Sequence, residues 1–203
     1  MTLATWISFL AICCLGAMSP GPSLAVVLRQ TVNNGRLHGV VASWFHAAGV
    51  GLWAVATVSG LAVIVEQSHE LYVVITWAGA AYLAWLGIKA LKAGPAAALT
   101  VEKSEKVSFW QAGMEGAFIS FLNPKLAIFF IALFSQFISK NASTMDQVTM
   151  VATATLVDGL WYTLVAVVLS HGPILGALQA RSVLINRLTG GMLILLALRV
   201  VTL

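Results

Sequence analysis

Apolar residues run along this chain in long blocks, separated by short polar stretches. A helix that crosses a bilayer needs about 20 mostly apolar residues. Six blocks are long enough: 3–28, 39–65, 71–91, 112–138, 147–170 and 185–203. None alternates apolar and polar positions as a barrel strand would, so the pattern predicts helices. The expected fold is an all-α polytopic membrane protein with six transmembrane helices. The most polar stretch, 92–110, holds Gly94-Pro95 and the run EKSEK at 102–106. It reads as a linker between a first three-helix unit, 1–91, and a second, 111–203. A unit with an odd number of spans, when duplicated, yields copies of opposite orientation. The two halves are therefore expected to be inverted repeats. Their first spans share a pattern, PSLAVVL at 22–28 and PKLAIFF at 124–130.

Composition sharpens this picture. Only 9% of the 203 residues are charged and 60% are hydrophobic, whereas a soluble domain carries about 25% charged residues. Too few charges exist to cover a water-facing surface, so most of the surface must face lipid. The net charge of +4 is spread over linkers, with no basic aromatic patch for nucleic acid. Basic residues mark the cytoplasmic side of a membrane protein. Arg29, Arg36, Lys89, Lys92, Lys103, Lys106, Arg181 and Arg187 flank the ends of spans 1, 3 and 5, against Lys140 alone after spans 2 and 4. This places both termini outside. Arg199, near the end of the last span, reads as a side chain reaching for the interface. The first span lacks a basic stretch before it and reads as a retained helix.

Candidate chemistry follows from what interrupts the apolar blocks. The first span contains Ser19-Pro20-Gly21-Pro22-Ser23, the fourth Asn123-Pro124-Lys125. A proline inside a continuing helix would free the carbonyl four residues earlier, here those of Gly16, Met18 and Ser120. In hydrocarbon such a carbonyl must be met by protein, water or ligand. Lys125 is the only charged residue between Gly116 and Ile138, and a cation at mid-membrane costs about 2.5–3.5 kcal/mol on insertion scales. Asp158 in the fifth span is the expected counter-charge, for substrate binding or as a structural ion pair. Thr155, Asp158, Trp161 and Tyr162 share one helix face, which should look inward. His46 in the second span is a candidate proton carrier or a neutral interhelical hydrogen-bonding group. Glu115 reads as a solvated end residue. Trp44, Trp53, Trp161 and Tyr162 are expected to fill volume and keep the pocket small.

Other classes find little support. The chain has no Walker A motif, no GxSxG and no HExxH, so no enzyme activity, cofactor or metal is expected. Cys13 and Cys14 are adjacent, with no CxxC and no zinc spacing. Small core side chains explain them, and a membrane thiol redox protein is the alternative from another class. A non-transporting scaffold subunit is a third, but it leaves Lys125 and both proline motifs without a use.

Taken together, these residues resemble the LysE/RhtB superfamily of bacterial amino-acid exporters, in its homoserine/threonine branch. The resemblance covers MSPGPS at 18–23, QTVNNGRLHGV at 30–40, HAAGVGLWA at 46–54, WAGAAYLAWLGIKAL at 77–91, FLNPKLAIFFIALFSQFI at 121–138 and NRLTGGMLILLALRV at 186–200. It implies an inner-membrane secondary transporter exporting amino acids, driven by an ion gradient and expected to be a proton antiporter. Pro20, Gly21 and Pro22 match the first motif, and Asn123, Pro124 and Lys125 match the second. Many members carry Asp or Asn after the first motif, where this chain has Ser23. Asp158 fits a span-5 carboxylate that recurs in the family. The expected substrate-binding set is Pro20, Gly21, Pro22, Ser23, Asn123, Pro124, Lys125, Asp158 and Tyr162, with Asp158 and His46 coupling protons. A neutral substrate of the threonine or homoserine kind is expected, with a basic amino acid as the alternative. Expected partners are the amino acid, protons, the bilayer and, as an option, a second copy in a homodimer.

Overall fold

The computed structural model describes residues 1–19, 21–94, 106–138, 142–168 and 180–199; Pro20 and the side chains of Lys125 and Arg199 lie outside the described set. The described residues form helices, with no strand among them. In chain order these are α1 (Leu3–Met18), α2 (Pro22–Asn34), α3 (Arg36–Gln67), α4 (His69–Lys92), α5 (Phe109–Phe121), α6 (Pro124–Ser135), α7 (Thr144–Val168) and α8 (Ser182–Arg199).

Helices α3, α4 and α7 are each long and apolar enough to cross a membrane. The expected first and fourth spans are instead bent pairs. The axes of α1 and α2 meet at 60°, and those of α5 and α6 at 56°. Each pair passes the same test when taken as one span, and α8 is a shorter apolar helix.

The prolines act differently from the sequence expectation. Pro22 and Pro124 start helices rather than kink continuing ones. Pro22 stands in the first turn of α2 after the extended residue Gly21, and Pro124 is the first residue of α6. A proline is tolerated there because its missing N–H would be unpaired anyway. Two of the three carbonyls expected to be free, those of Gly16 and Ser120, are used. Ser19 N–H donates to Gly16 O and Asn123 N–H donates to Ser120 O. The Asn123 carbonyl accepts from Leu126 and Ala127 at the start of α6.

Other ends are set by ordinary caps. Ser68 accepts from Leu71 N–H at the start of α4, and Ser108 and Gln111 form a capping box on α5. Gly35, at φ 99°, closes α2 and opens α3, a backbone state that favours glycine.

Helix α3 is the hub, packing on α2, α5, α6 and α7, while α4 packs chiefly on α8 and α6. Small residues permit the closest approaches, as membrane helix packing requires. A Cβ on Gly87 of α4 would lie 2.8 Å from the Gly190 carbonyl of α8, and one on Gly190 2.6 Å from the Gly87 carbonyl. Outward faces are apolar, as in the exposed stripe Leu156, Leu160 and Leu164 on α7.

Polar contacts tie the two ends. Glu115 accepts from Arg29 at 2.5 Å and also from Gln30, so it is paired rather than merely solvated. At that end Asn34 accepts from the Val107 N–H, and a ring nitrogen of His38 meets the Val107 carbonyl. At the other end the Met1 amine pairs with Asp146, and the Tyr72 hydroxyl donates to the carbonyls of Ser135 and Ile138.

Candidate functional site

Where the first bent pair breaks, it opens onto a cavity of about 340 Å³. Gly21, Pro22 and Ser23 of the first motif line it, with Asn123 of the second. His46 of α3 and Asp158 and Tyr162 of α7 complete its polar wall. Segments 100 residues apart in sequence thus meet at one space.

A hydrogen-bonded chain runs along this wall. His46 Nδ1 lies 2.7 Å from Asp158 Oδ2, and His46 Nε2 lies 2.8 Å from Ser23 Oγ. His46 is 1% exposed and Asp158 and Ser23 are each 8% exposed. Tyr162, one turn after Asp158, sets its ring edge-on to the imidazole at 5.1 Å between centroids. Local sequence explains the geometry. Asp158 and Tyr162 are four apart and share a face of α7. Gly159 lies against Trp44 and Ala47 of α3, which brings α7 close enough for Asp158 to reach His46. Ser23 is held at the start of α2 because Pro22 begins that helix.

The chain keeps its bonds through a proton change. With Asp158 ionised and His46 neutral, Nδ1–H donates to the carboxylate and Nε2 accepts from the Ser23 hydroxyl. With His46 protonated, both nitrogens donate, and the hydroxyl turns to accept. Buried polar groups remain paired in either state, so proton uptake leaves no orphaned donor or acceptor. Hydroxyl, imidazole and carboxylate in this order suit nucleophile activation or proton passage.

Several expectations need adjustment. The described partner of Asp158 is His46; the expected pair of Asp158 with Lys125 falls on a side chain outside the described residues, as does Pro20. Pro124 starts α6 and is exposed, away from the cavity lining. Trp44, Trp53 and Trp161 are absent from the lining. Trp53 instead donates to the Phe121 carbonyl, and Trp161 packs beside the Leu24, Val27 and Tyr162 cluster. Thr155 donates to the Val151 carbonyl and faces Gly51 of α3.

The lining also includes residues to which sequence assigned no such place: Cys13, Lys89, Asn186 and Thr189. Lys89 reads as a topology charge in sequence, yet it stands at the cavity with its ammonium 5.2 Å from the Trp85 ring centroid. Asn186 and Thr189 are three apart, a spacing that does mark one helix face.

Comparison with known proteins gives these features a family. The model of the LysE type translocator family matches residues 14–203. A homoserine/homoserine lactone efflux protein of Salmonella typhimurium is 30% identical over 77% of this chain and 76% of its own length. A threonine efflux protein of Salmonella typhi is 29% identical over 73% of this chain and 74% of its own. An uncharacterized membrane protein of Bacillus subtilis, YrhP, is 26% identical over 81% and 83%. No solved structure matches. With the family model spanning nearly all of the sequence, the chain belongs to the LysE type translocators.

Proposed function

We propose that this protein exports a small neutral amino acid of the threonine or homoserine kind across the bacterial inner membrane, in exchange for a proton. The observation that carries this reading is the Ser23–His46–Asp158 chain on the wall of a cavity at a helix break. The efflux relatives supply the substrate class. The order of elements, a bent pair followed by two further helices and then the same again, supports six spans in two inverted repeats, with the ends rich in basic residues in the cytoplasm and both termini outside.

In this mechanism substrate and proton compete for Asp158. The ionised carboxylate, with a Ser23 lone pair, attracts the substrate ammonium. A proton on the chain cancels the Asp158 charge or places an imidazolium beside it, and either change expels an ammonium. The substrate carboxylate sits at the start of α2, where Gly21 offers no side-chain cap. The N–H groups of Ser23 and Leu24 favour an anion there. Lys125, in the first turn of α6, is assigned the same carboxylate. A basic amino acid fits less well, because Asp158 is the one carboxylate in the described lining.

The test is efflux from proteoliposomes loaded with labelled amino acids under an imposed pH gradient. Wild type should export threonine or homoserine, and Lys125→Ala should insert normally yet export at background. Export by Lys125→Ala at the wild-type rate removes Lys125 from the site. No efflux from folded wild type removes the exporter reading.

A further inference from the structure

The cavity has a second polar region, on α8. Asn186, Thr189 and Leu193 line it at positions i, i+3 and i+7, so one stripe of α8 faces the space. Asn186 is 9% exposed and Thr189 is 5% exposed. The Thr189 hydroxyl lies 2.9 Å from the Ile185 carbonyl and 3.3 Å from the Leu15 carbonyl, so its single proton is committed. The Asn186 carboxamide has no hydrogen-bond partner among the described residues. The residue is mostly buried but its amide is open to the cavity, with two donors and an acceptor unused, and polar groups of buried residues are normally paired. Here it borders a cavity, which makes a ligand its natural partner.

The geometry places this amide firmly. Gly87 and Gly190 lock α8 onto α4, and the Thr189 contact ties it to α1. Asp158 comes from α7, which packs on α3, α1 and α2. The two polar regions therefore belong to different helices around one cavity. Apolar residues such as Val50, Leu86 and Phe130 contribute the rest of its wall.

We infer that Asn186 reads the substrate side chain and selects one that carries a hydrogen-bonding oxygen. This rests on the exporter reading above and narrows its substrate class. An amino acid held by its ammonium at Asp158 would direct its side chain across the cavity toward α8. A hydroxyl there completes the amide. A methyl in its place leaves the amide buried and unpaired. Sites built to bond a hydroxyl reject the analogue without it far more strongly than apolar pockets reject a change of one methylene. A cationic side chain gains little, since the amide is neutral.

The experiment compares pairs that differ only by a hydroxyl against a methyl: homoserine with norvaline, and threonine with valine. Gradient-driven efflux of each from proteoliposomes gives a ratio that is insensitive to the amount of active protein. Wild type should favour the hydroxylated member by at least about tenfold. Asn186→Leu, which keeps the volume but removes the amide, should bring the ratio near one while still exporting norvaline. Asn186→Ala carries the same measurement should the leucine variant fail to fold. A wild-type ratio near one, or an unchanged ratio in the variants, overturns the selection rule alone. Absence of efflux of all four from folded wild type overturns the exporter reading and the selection rule together.

Discussion

Asp158 of α7 and His46 of α3, 112 residues apart in sequence, share a hydrogen bond of 2.7 Å in a buried site beside the cavity. Each explains why the other is tolerated. An ionised carboxylate in the membrane interior needs a donor, and a buried imidazole needs partners for both ring nitrogens. Ser23 supplies the second partner, so the pair is joined to the break in the first span.

Ser23 is the member of this chain that meets the cavity at the helix start. Ser23→Ala leaves His46 Nε2 without its partner, and an unsatisfied buried group costs about 1–3 kcal/mol. The variant should unfold at a lower temperature in detergent and export more slowly. Ser23→Thr keeps the hydroxyl and should restore most of both. Thermal unfolding and efflux on the two variants check this, and equal behaviour of alanine and threonine would show that the hydroxyl is not used.

Much of this was legible in the sequence, for a simple reason. In a chain with so few polar residues, each one inside an apolar block stands out. The long apolar helices α3, α4 and α7 stand out on that ground, as do the polar residues Ser23, His46, Asp158 and Tyr162. Pairing was less legible, because it depends on which helix faces which. Sequence pairs Asp158 with Lys125 and names no partner for His46; the packing of α7 on α3 brings Asp158 to His46. A proline reads the same whether it kinks a helix or starts one, so the free carbonyls of Gly16 and Ser120 were expected and are instead bonded. Asn186 does not stand out in the sequence, because it sits near the end of a block, where a polar residue usually means the interface. Trp44, Trp53 and Trp161 lie away from the lining; aromatic bulk says nothing about which side of a helix it occupies.

The α4–α8 contact gives a prediction with an internal control. Gly87→Val places side-chain atoms against the Gly190 backbone, which cannot yield as a flexible side chain would. Overpacking of this kind costs about 1–3 kcal/mol or more. Gly191→Ala, one residue along, meets nothing within 4 Å and should be neutral. Unfolding temperatures of the purified variants in one detergent should separate them by several degrees, with Gly87→Val the lower.

The two cysteines offer a probe of the cavity. Cys13 lines it and Cys14 does not. With Cys14→Ser as background, a small polar thiol reagent should modify Cys13 slowly, and saturating substrate should slow it further by about tenfold. With Cys13→Ser as background, the rate at Cys14 should be indifferent to substrate. Mass spectrometry of the labelled protein reads both rates. Replacing both cysteines with serine should leave export intact, which a thiol redox protein would not permit.

Proton exchange at Asp158 is the central claim, and the internal pH of proteoliposomes tests it most directly. Vesicles loaded with homoserine and a trapped pH dye start with no pH gradient, with valinomycin and potassium holding the potential at zero. As homoserine leaves through wild-type protein, protons should enter and the lumen should acidify. Asp158→Asn, which keeps the shape of the side chain but cannot hold the charge, should give neither efflux nor acidification. Homoserine efflux with no pH change, or acidification by Asp158→Asn equal to that of wild type, would contradict the mechanism.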